Sequence, residues 1–262
     1  MRIATYNVNG IKARLPRLLE WLGETSPDIA CLQEIKSVDE GFPVKDIEAA
    51  GYHALVHGQK GFNGVAILSR EPAELVRKGL PGEDGLGEEA DQARYIEADV
   101  SGVRVASIYL PNGNPVPGPK FDYKLRWMTR LQAHARDLWR DELPTVLTGD
   151  FNVAPQDRDV FSMRAMAGDA LVLPESRSAW HGLIADGWLE ALRAVHPVDD
   201  ALYTFWDYQA GAWPRDAGLR IDHHLLSPDM ADRLIDAQVD KEYRGREKAS
   251  DHTPVWIEIA AA

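Results

Sequence analysis

The sequence predicts an α/β protein whose chemistry gathers at the ends of strands, and three observations predict it. Short apolar or β-branched runs, such as Pro144-Thr145-Val146-Leu147-Thr148, recur between stretches with a helical apolar stripe. Gly, Pro and Asn punctuate those runs. Polar residues then stand directly past the strands, as Asp150 and Asn152 do after Thr148. With 262 residues the chain has ample length for a buried core. It shows no internal repeat, low-complexity segment or linker, so it reads as a single domain, 1–262.

The elements follow in order. Residues 2–6 alternate as a strand and run into Asn7-Val8-Asn9-Gly10. Leu15, Leu18, Leu19 and Leu22 form a helical stripe, with Pro16 placed in the first turn and Gly23 and Ser26-Pro27-Asp28 as the stop. Ile29-Ala30-Cys31-Leu32 is a buried strand that delivers Gln33-Glu34. This strand–helix–strand unit puts Asn7 and Glu34 at carboxyl ends of strands, where α/β sheets bind ligands. A short helix (43–50) and strands at 52–57 and 65–68 come next. His53 and His57 have the spacing of helical metal ligands, but a strand holds them apart. Residues 79–91 read as an exposed acidic loop.

Arg94–Val100 and Val103–Tyr109 form a hairpin across Ser101-Gly102. A long helix spans about Phe121–Trp139, buried along Leu125, Met128, Leu131, Ala135, Leu138 and Trp139. Lys120, Lys124, Arg126 and Arg130 lie at its start, and a solvated face is expected for most of them. If the backbone stays extended after Thr148, Asp150 and Asn152 project to one side. Helical pieces at 179–185 and 189–196 precede a strand at 203–207 and an aromatic loop with Tyr208 and Trp213. A strand begins at Leu219-Arg220-Ile221-Asp222, and the last strand is 254–259, preceded by Ser250-Asp251-His252.

Composition removes several function classes. A net charge of −12 argues against coating nucleic acid by bulk electrostatics. A lone cysteine, Cys31, makes no internal disulfide and fits a reducing cytoplasm. No run resembles a signal peptide or is long enough to cross a bilayer, so no membrane partner is expected. Zinc spacing and a Gly-x-Ser-x-Gly elbow are both missing.

What remains is a set of strand ends carrying Asn7, Glu34, Tyr109, Asp150 with Asn152, Asp222, and Asp251 with His252. Glu34, Asp150 and Asp251 are hard oxygen donors suited to Mg2+ or Mn2+. Glu34 has no evident cationic neighbour in the sequence, so a cation would compensate it. His252 can donate to a phosphate oxygen, and a carboxylate such as Asp222 could hold it in one tautomer. Asn7, Asn152 and Tyr109 are neutral donors for a pentacovalent phosphate. His223 and His224 stand where apolar residues are expected and read as polar residues at a strand end.

These motifs, with His57-Gly58-Gln59-Lys60-Gly61, Tyr109-Leu110-Pro111-Asn112-Gly113 and Phe205-Trp206-Asp207-Tyr208, together resemble the exonuclease III family of abasic-site endonucleases. That family lies within the endonuclease/exonuclease/phosphatase superfamily, and the resemblance spans Met1 to Ile259. It implies a DNase I-like four-layered α/β sandwich, two mixed sheets face to face with helices outside. It implies Mg2+-dependent hydrolysis 5′ to abasic sites in double-stranded DNA, with 3′→5′ exonuclease and 3′-phosphatase activity on blocked 3′ ends, by a monomer.

By the same resemblance Glu34 is the principal metal ligand, with Asp251 and Asn7 nearby and Asp150, Asn152 and His252 around the ion. Asp150 activates the attacking water or handles the leaving oxygen, and Asn152 is its partner. His252, paired with Asp222, and Tyr109 contact the phosphate. Asn9, Asn112, Phe205 and Trp206 are the candidates for touching DNA. Only one of Phe205 and Trp206 can face the site if their strand alternates. The rival readings are another phosphoesterase of the same fold, a nonspecific DNase or small-molecule phosphatase, and a binding protein with a relic site.

Overall fold

The structure, a computed structural model, describes residues 1–82, 92–199 and 201–260. Most of the acidic 79–91 stretch lies outside the described residues. Strand β1 (Arg2–Asn7) leads through helix α1 (Ile11–Thr25) to β2 (Ile29–Gln33). Then come α2 (Val44–Ala49), β3 (His53–His57), β4 (Val65–Ser69), β5 (Ala73–Lys78), β6 (Tyr95–Val100) and β7 (Val103–Tyr109). Helix α3 (Pro119–Arg140) connects to β8 (Thr145–Asp150). The chain closes with α4 (Pro174–Ala185), β9 (Leu189–Glu190), α5 (Ala191–Val195), β10 (Asp222–Leu226), α6 (Pro228–Ala231), β11 (Leu234–Val239) and β12 (Val255–Ile259).

The strands build two six-stranded sheets, ordered β11-β12-β1-β2-β4-β3 and β5-β6-β7-β8-β10-β9. Each is mixed: β1 runs parallel to β2 and β7 parallel to β8, and the other pairs are antiparallel. A parallel pair needs a crossover, and α1 and α3 supply them. Period-two alternation sorts the side chains into layers. Ile3, Ile29, Cys31, Val65 and Ile67 of the first sheet meet Ile96, Val105, Val146 and Leu226 of the second. Outside the first sheet, Leu18, Trp21 and Leu22 of α1 cover Ala4, Tyr6, Ala30 and Leu32. Outside the second, Trp127, Met128, Leu131 and Ala135 of α3 and Trp180 and Leu183 of α4 cover Ala106, Ile108 and Leu147. This is a four-layered α/β sandwich.

Several expectations change. Helix α1 starts at Ile11, so Pro16 falls beyond the first turn and its absent N–H leaves a carbonyl one turn back without its helical bond. Residues 203–207 are not a strand; Phe205 makes only isolated bridges, to Leu219 and His252. Strand β10 begins at Asp222 rather than Leu219, and Leu189–Glu190 is a short strand ahead of α5. Strands β5 and β11 carry no clear signal in the sequence. Both lie at sheet edges with much of their length exposed or half-buried, which blurs the alternation.

Candidate active site

Sheet register brings the polar strand ends together. In the second sheet Tyr109 lies opposite Asp150, and Asp150 opposite Asp222, on three adjacent strands. Gly149 makes that approach possible: a Cβ there would sit 1.9 Å from the Ile108 carbonyl oxygen, and its φ of 151° disfavours L side chains. In the first sheet Asn7 lies opposite Gln33, one residue before Glu34. Asn7 then joins the sheets: its Nδ2 donates to Glu34 Oε1 at 2.9 Å and Asp150 Oδ2 at 3.0 Å.

The backbone is bent to do this. Asn9, Glu34, Lys36 and Asn152 have φ of 44°, 50°, 51° and 47°, left-handed geometry that costs about 1–2 kcal/mol for a residue with a side chain. At Asn152 it ends the extension of β8, so Asp150 and Asn152 are not two positions of one strand face as expected. Their link is instead a bond from the Asn152 N–H to Asp150 Oδ1 at 2.9 Å. Around Glu34 the bend turns Lys36 back, and its Nζ lies 3.0 Å from Glu34 Oε2 and also bonds Asn9 Oδ1. Glu34 therefore does have a cationic partner, two residues away, which a strand reading hides.

Burial raises the pKa of Asp150, with His252 opposing the rise and Asp222 and Glu34 adding to it. Burial pulls His252 the other way, but Asp222 and Asp150 outweigh it and raise its pKa. Its Nδ1 is 2.8 Å from Asp222 Oδ2 and its Nε2 3.7 Å from Asp150 Oδ2. Thr204 Oγ1 donates to that same Asp222 oxygen at 2.6 Å. Glu34 is also pushed up by burial, but the Asn7 bond, Lys36 and His252 together bring it below the usual carboxylate range. Tyr109 is raised well above its ordinary value, by burial first and Glu34 next, so its hydroxyl stays a neutral donor.

Glu34, Asp150 and His252 offer ligand atoms that all lie within 4.8 Å of one another. Carboxylate oxygens from two sheets on one point fit a hard divalent cation. Two expected ligands are otherwise engaged. Asn7 turns its amide nitrogen to the carboxylates while its Oδ1 accepts from the Asn9 N–H at 3.0 Å. Asn152 Oδ1 accepts from Asn112 Nδ2 at 3.0 Å and its Nδ2 donates to the Leu110 carbonyl. Asp251 lines the same cavity, outside that trio, with Oδ1 held by Asn9 Nδ2 at 3.0 Å.

The cavity holds about 500 Å³. Glu34, Tyr109, Asp150, Asn152 and His252 line its polar part, and Phe161, Met166, Leu171, Phe205, Leu219 and Ile221 its apolar part. Phe205 sets its ring edge-on to His252 at 4.9 Å. Trp206 does not reach the cavity. It is fully buried, donates to Asp216 Oδ1 at 2.9 Å and packs between Tyr203 and Trp213, so, against expectation, it offers no surface to DNA. Lys124 is not on a solvated face either: it has no exposed surface, and its Nζ donates to the Asn112 and Asn152 carbonyls at 3.1 and 2.5 Å. Burial lowers its pKa to about 7. Phe161, Met166 and Leu171 come from an irregular segment with no periodicity to flag them.

The chain belongs to the endonuclease/exonuclease/phosphatase family, whose model matches residues 4–252. Within it, the chain is similar to exodeoxyribonuclease III of Haemophilus influenzae, with 33% identity over 99% of this chain and 100% of that protein. Its fold is similar to an AP endonuclease from Archaeoglobus fulgidus, at TM-score 0.93 and 37% identity over 100% of both chains. A 3′ phosphatase from Neisseria, solved bound to a product DNA hairpin, matches at TM-score 0.94 and 40% identity over 100% of both chains.

Proposed function

We propose that this chain is a Mg2+-dependent DNA repair nuclease that hydrolyses the phosphodiester 5′ to abasic sites. We include 3′→5′ exonuclease and 3′-phosphatase activity at blocked ends of double-stranded DNA. The observation that carries the reading is the trio of half-buried Glu34 with buried Asp150 and His252 at the polar end of a cavity with an apolar wall. Glu34 and Asp150, with Asp251 beside them, would hold the Mg2+ (or Mn2+). Such an ion supplies positive charge against the charge that builds on phosphate oxygens during in-line attack.

The residues divide the remaining work. Asp150, held in place by the Asn7 amide and the Asn152 N–H, accepts a proton from the attacking water or serves the leaving oxygen. His252, kept protonated and oriented by Asp222, donates to a non-bridging phosphate oxygen. Tyr109 donates from a neutral hydroxyl, and Asn152 directs its remaining amide N–H. Phe205 with its apolar neighbours would receive an extrahelical sugar that lacks a base, and Asn9 and Asn112 would contact the strand. Single-domain, monomeric action fits a site to which both sheets contribute. The lone cysteine supports a cytoplasmic setting, and no described helix is long and apolar enough to cross a membrane.

The test uses one labelled duplex with an abasic analogue and one with a 3′-phosphate, each with Mg2+ and with excess chelator. Chelation should abolish both reactions, and Glu34→Ala should sharply raise the Mg2+ requirement. Full activity in excess chelator would end this reading.

A further inference from the structure

Strand β10 carries Asp222, His224 and Leu226 on the face that meets the first sheet. Leu226 belongs to the apolar core between the sheets. His224, one step above it, is 1% exposed and lies opposite Thr148 of β8. The polar stratum here is continuous: Thr5 Oγ1 donates to Gln33 Oε1 and Gln33 Nε2 to Ser107 Oγ, each at 3.0 Å. Within this satisfied layer, His224 Nε2 and Asp222 Oδ1 are buried atoms with no hydrogen-bond partner among the described residues.

Their chemistry is complementary to one small molecule. The Ile3 backbone favours a proton on the His224 ring, and since Nε2 is the ring nitrogen without a partner, a proton on Nδ1 leaves Nε2 an acceptor. Asp222 Oδ1 is also an acceptor. Two acceptors cannot bond each other, but one water has two O–H donors and can serve both. Asp222 meanwhile receives both Thr204 and His252 through Oδ2. Whatever holds Oδ1 therefore fixes the carboxylate plane, and with it the ring that carries Nε2 toward Asp150.

We infer that His224 is a positioning residue for the Asp222–His252 pair, acting through a buried water that donates to both Asp222 Oδ1 and His224 Nε2. This deepens the proposed function and rests on it only where turnover is read. The experiment compares the wild type, His224→Leu and His224→Gln, the last keeping an acceptor at that place. Three quantities are read on the full chain: electron density between Asp222 and position 224, the low-field proton resonance of His252 Nδ1–H in chelated protein, and kcat and KM on a 3′-phosphate duplex.

A water is expected in the wild type and in His224→Gln. His224→Leu should lose it, shift the resonance and lower kcat by roughly 3–10-fold with KM little changed. His224→Gln should recover most of the kcat and the resonance position. Absence of water density in the wild type overturns the inference, as does a folded His224→Leu with wild-type resonance and kcat. If His224→Leu does not fold, the wild-type density and the His224→Gln resonance decide alone. Wild-type protein inactive on DNA would remove the proposed function, while density and resonance would still judge the role of His224.

Discussion

Asp222 and His223 are neighbours in β10, yet they belong to two buried charge clusters built on opposite terms. His223 faces outward, into a cluster where acids and bases balance. Asp159 takes Arg220 through Nε at 2.8 Å and Nη2 at 3.0 Å, and Arg193 at 2.7 Å. Arg220 Nη1 also reaches Glu190 at 3.0 Å and His223 Nδ1 at 3.1 Å. Burial alone would raise Glu190, but Arg220 and His223 overcome it and hold its pKa at about 2. Asp222 faces inward, where Glu34, Asp150 and Asp222 share His252, with Lys36 at the rim. Asp150 there is pushed up, not down. Balanced charge buried out of reach of a cavity locks strands together. Unbalanced acid buried beside a cavity is ready for a cation and for proton transfer.

The largest effect is expected of Asp150→Asn. Removing an acid that transfers a proton should lower kcat by about 10²–10⁴-fold, with DNA affinity much less affected. Turnover at the wild-type rate would make Asp150 structural and the two clusters alike. Next comes Arg220→Met in the balanced cluster, which leaves Asp159 and Glu190 under-compensated. Urea unfolding should show a loss of about 3–5 kcal/mol at neutral pH.

That loss should depend on pH. Glu190 is depressed from 4.5 to about 2 in the folded chain, so its stabilisation is complete above 4.5 and fades as pH falls toward 2. The gap between parent and Arg220→Met should narrow over that window, and a constant gap would count against Glu190 as the cause. A smaller effect is expected at the apolar wall. Phe205→Ala should lower the abasic-to-intact ratio of kcat/KM by about tenfold and leave the Mg2+ requirement alone. An unchanged ratio would move recognition to other residues. The smallest effect is a gain: Asp150→Asn should raise the melting temperature of chelated protein by about 2–4 °C, since it relieves like charge. A lower melting temperature would place Asp150 with the balanced cluster.

The strands that carry the site are legible along the chain, because short apolar runs ending in Asn7, Glu34, Tyr109 and Asp150 have a local signature. Period and punctuation are properties of neighbours in the chain, and a strand end is visible from them. The same holds for the stripe of α1 and for that of α3, except at Trp139, which is exposed near the helix end. Packing between distant segments set the rest. Lys124 looked solvated because nothing nearby in sequence shows the Asn112 and Asn152 carbonyls that enclose it. Trp206 went to the core because Tyr203, Trp213 and Asp216 close around it. Lys36 pairs with Glu34 only because two left-handed residues turn the chain back. Asp159, Glu190, Arg193 and Arg220 come from separate segments and carry no shared spacing. Charge in a folded chain acts through distance and dielectric, and both are set by packing between segments the sequence keeps apart.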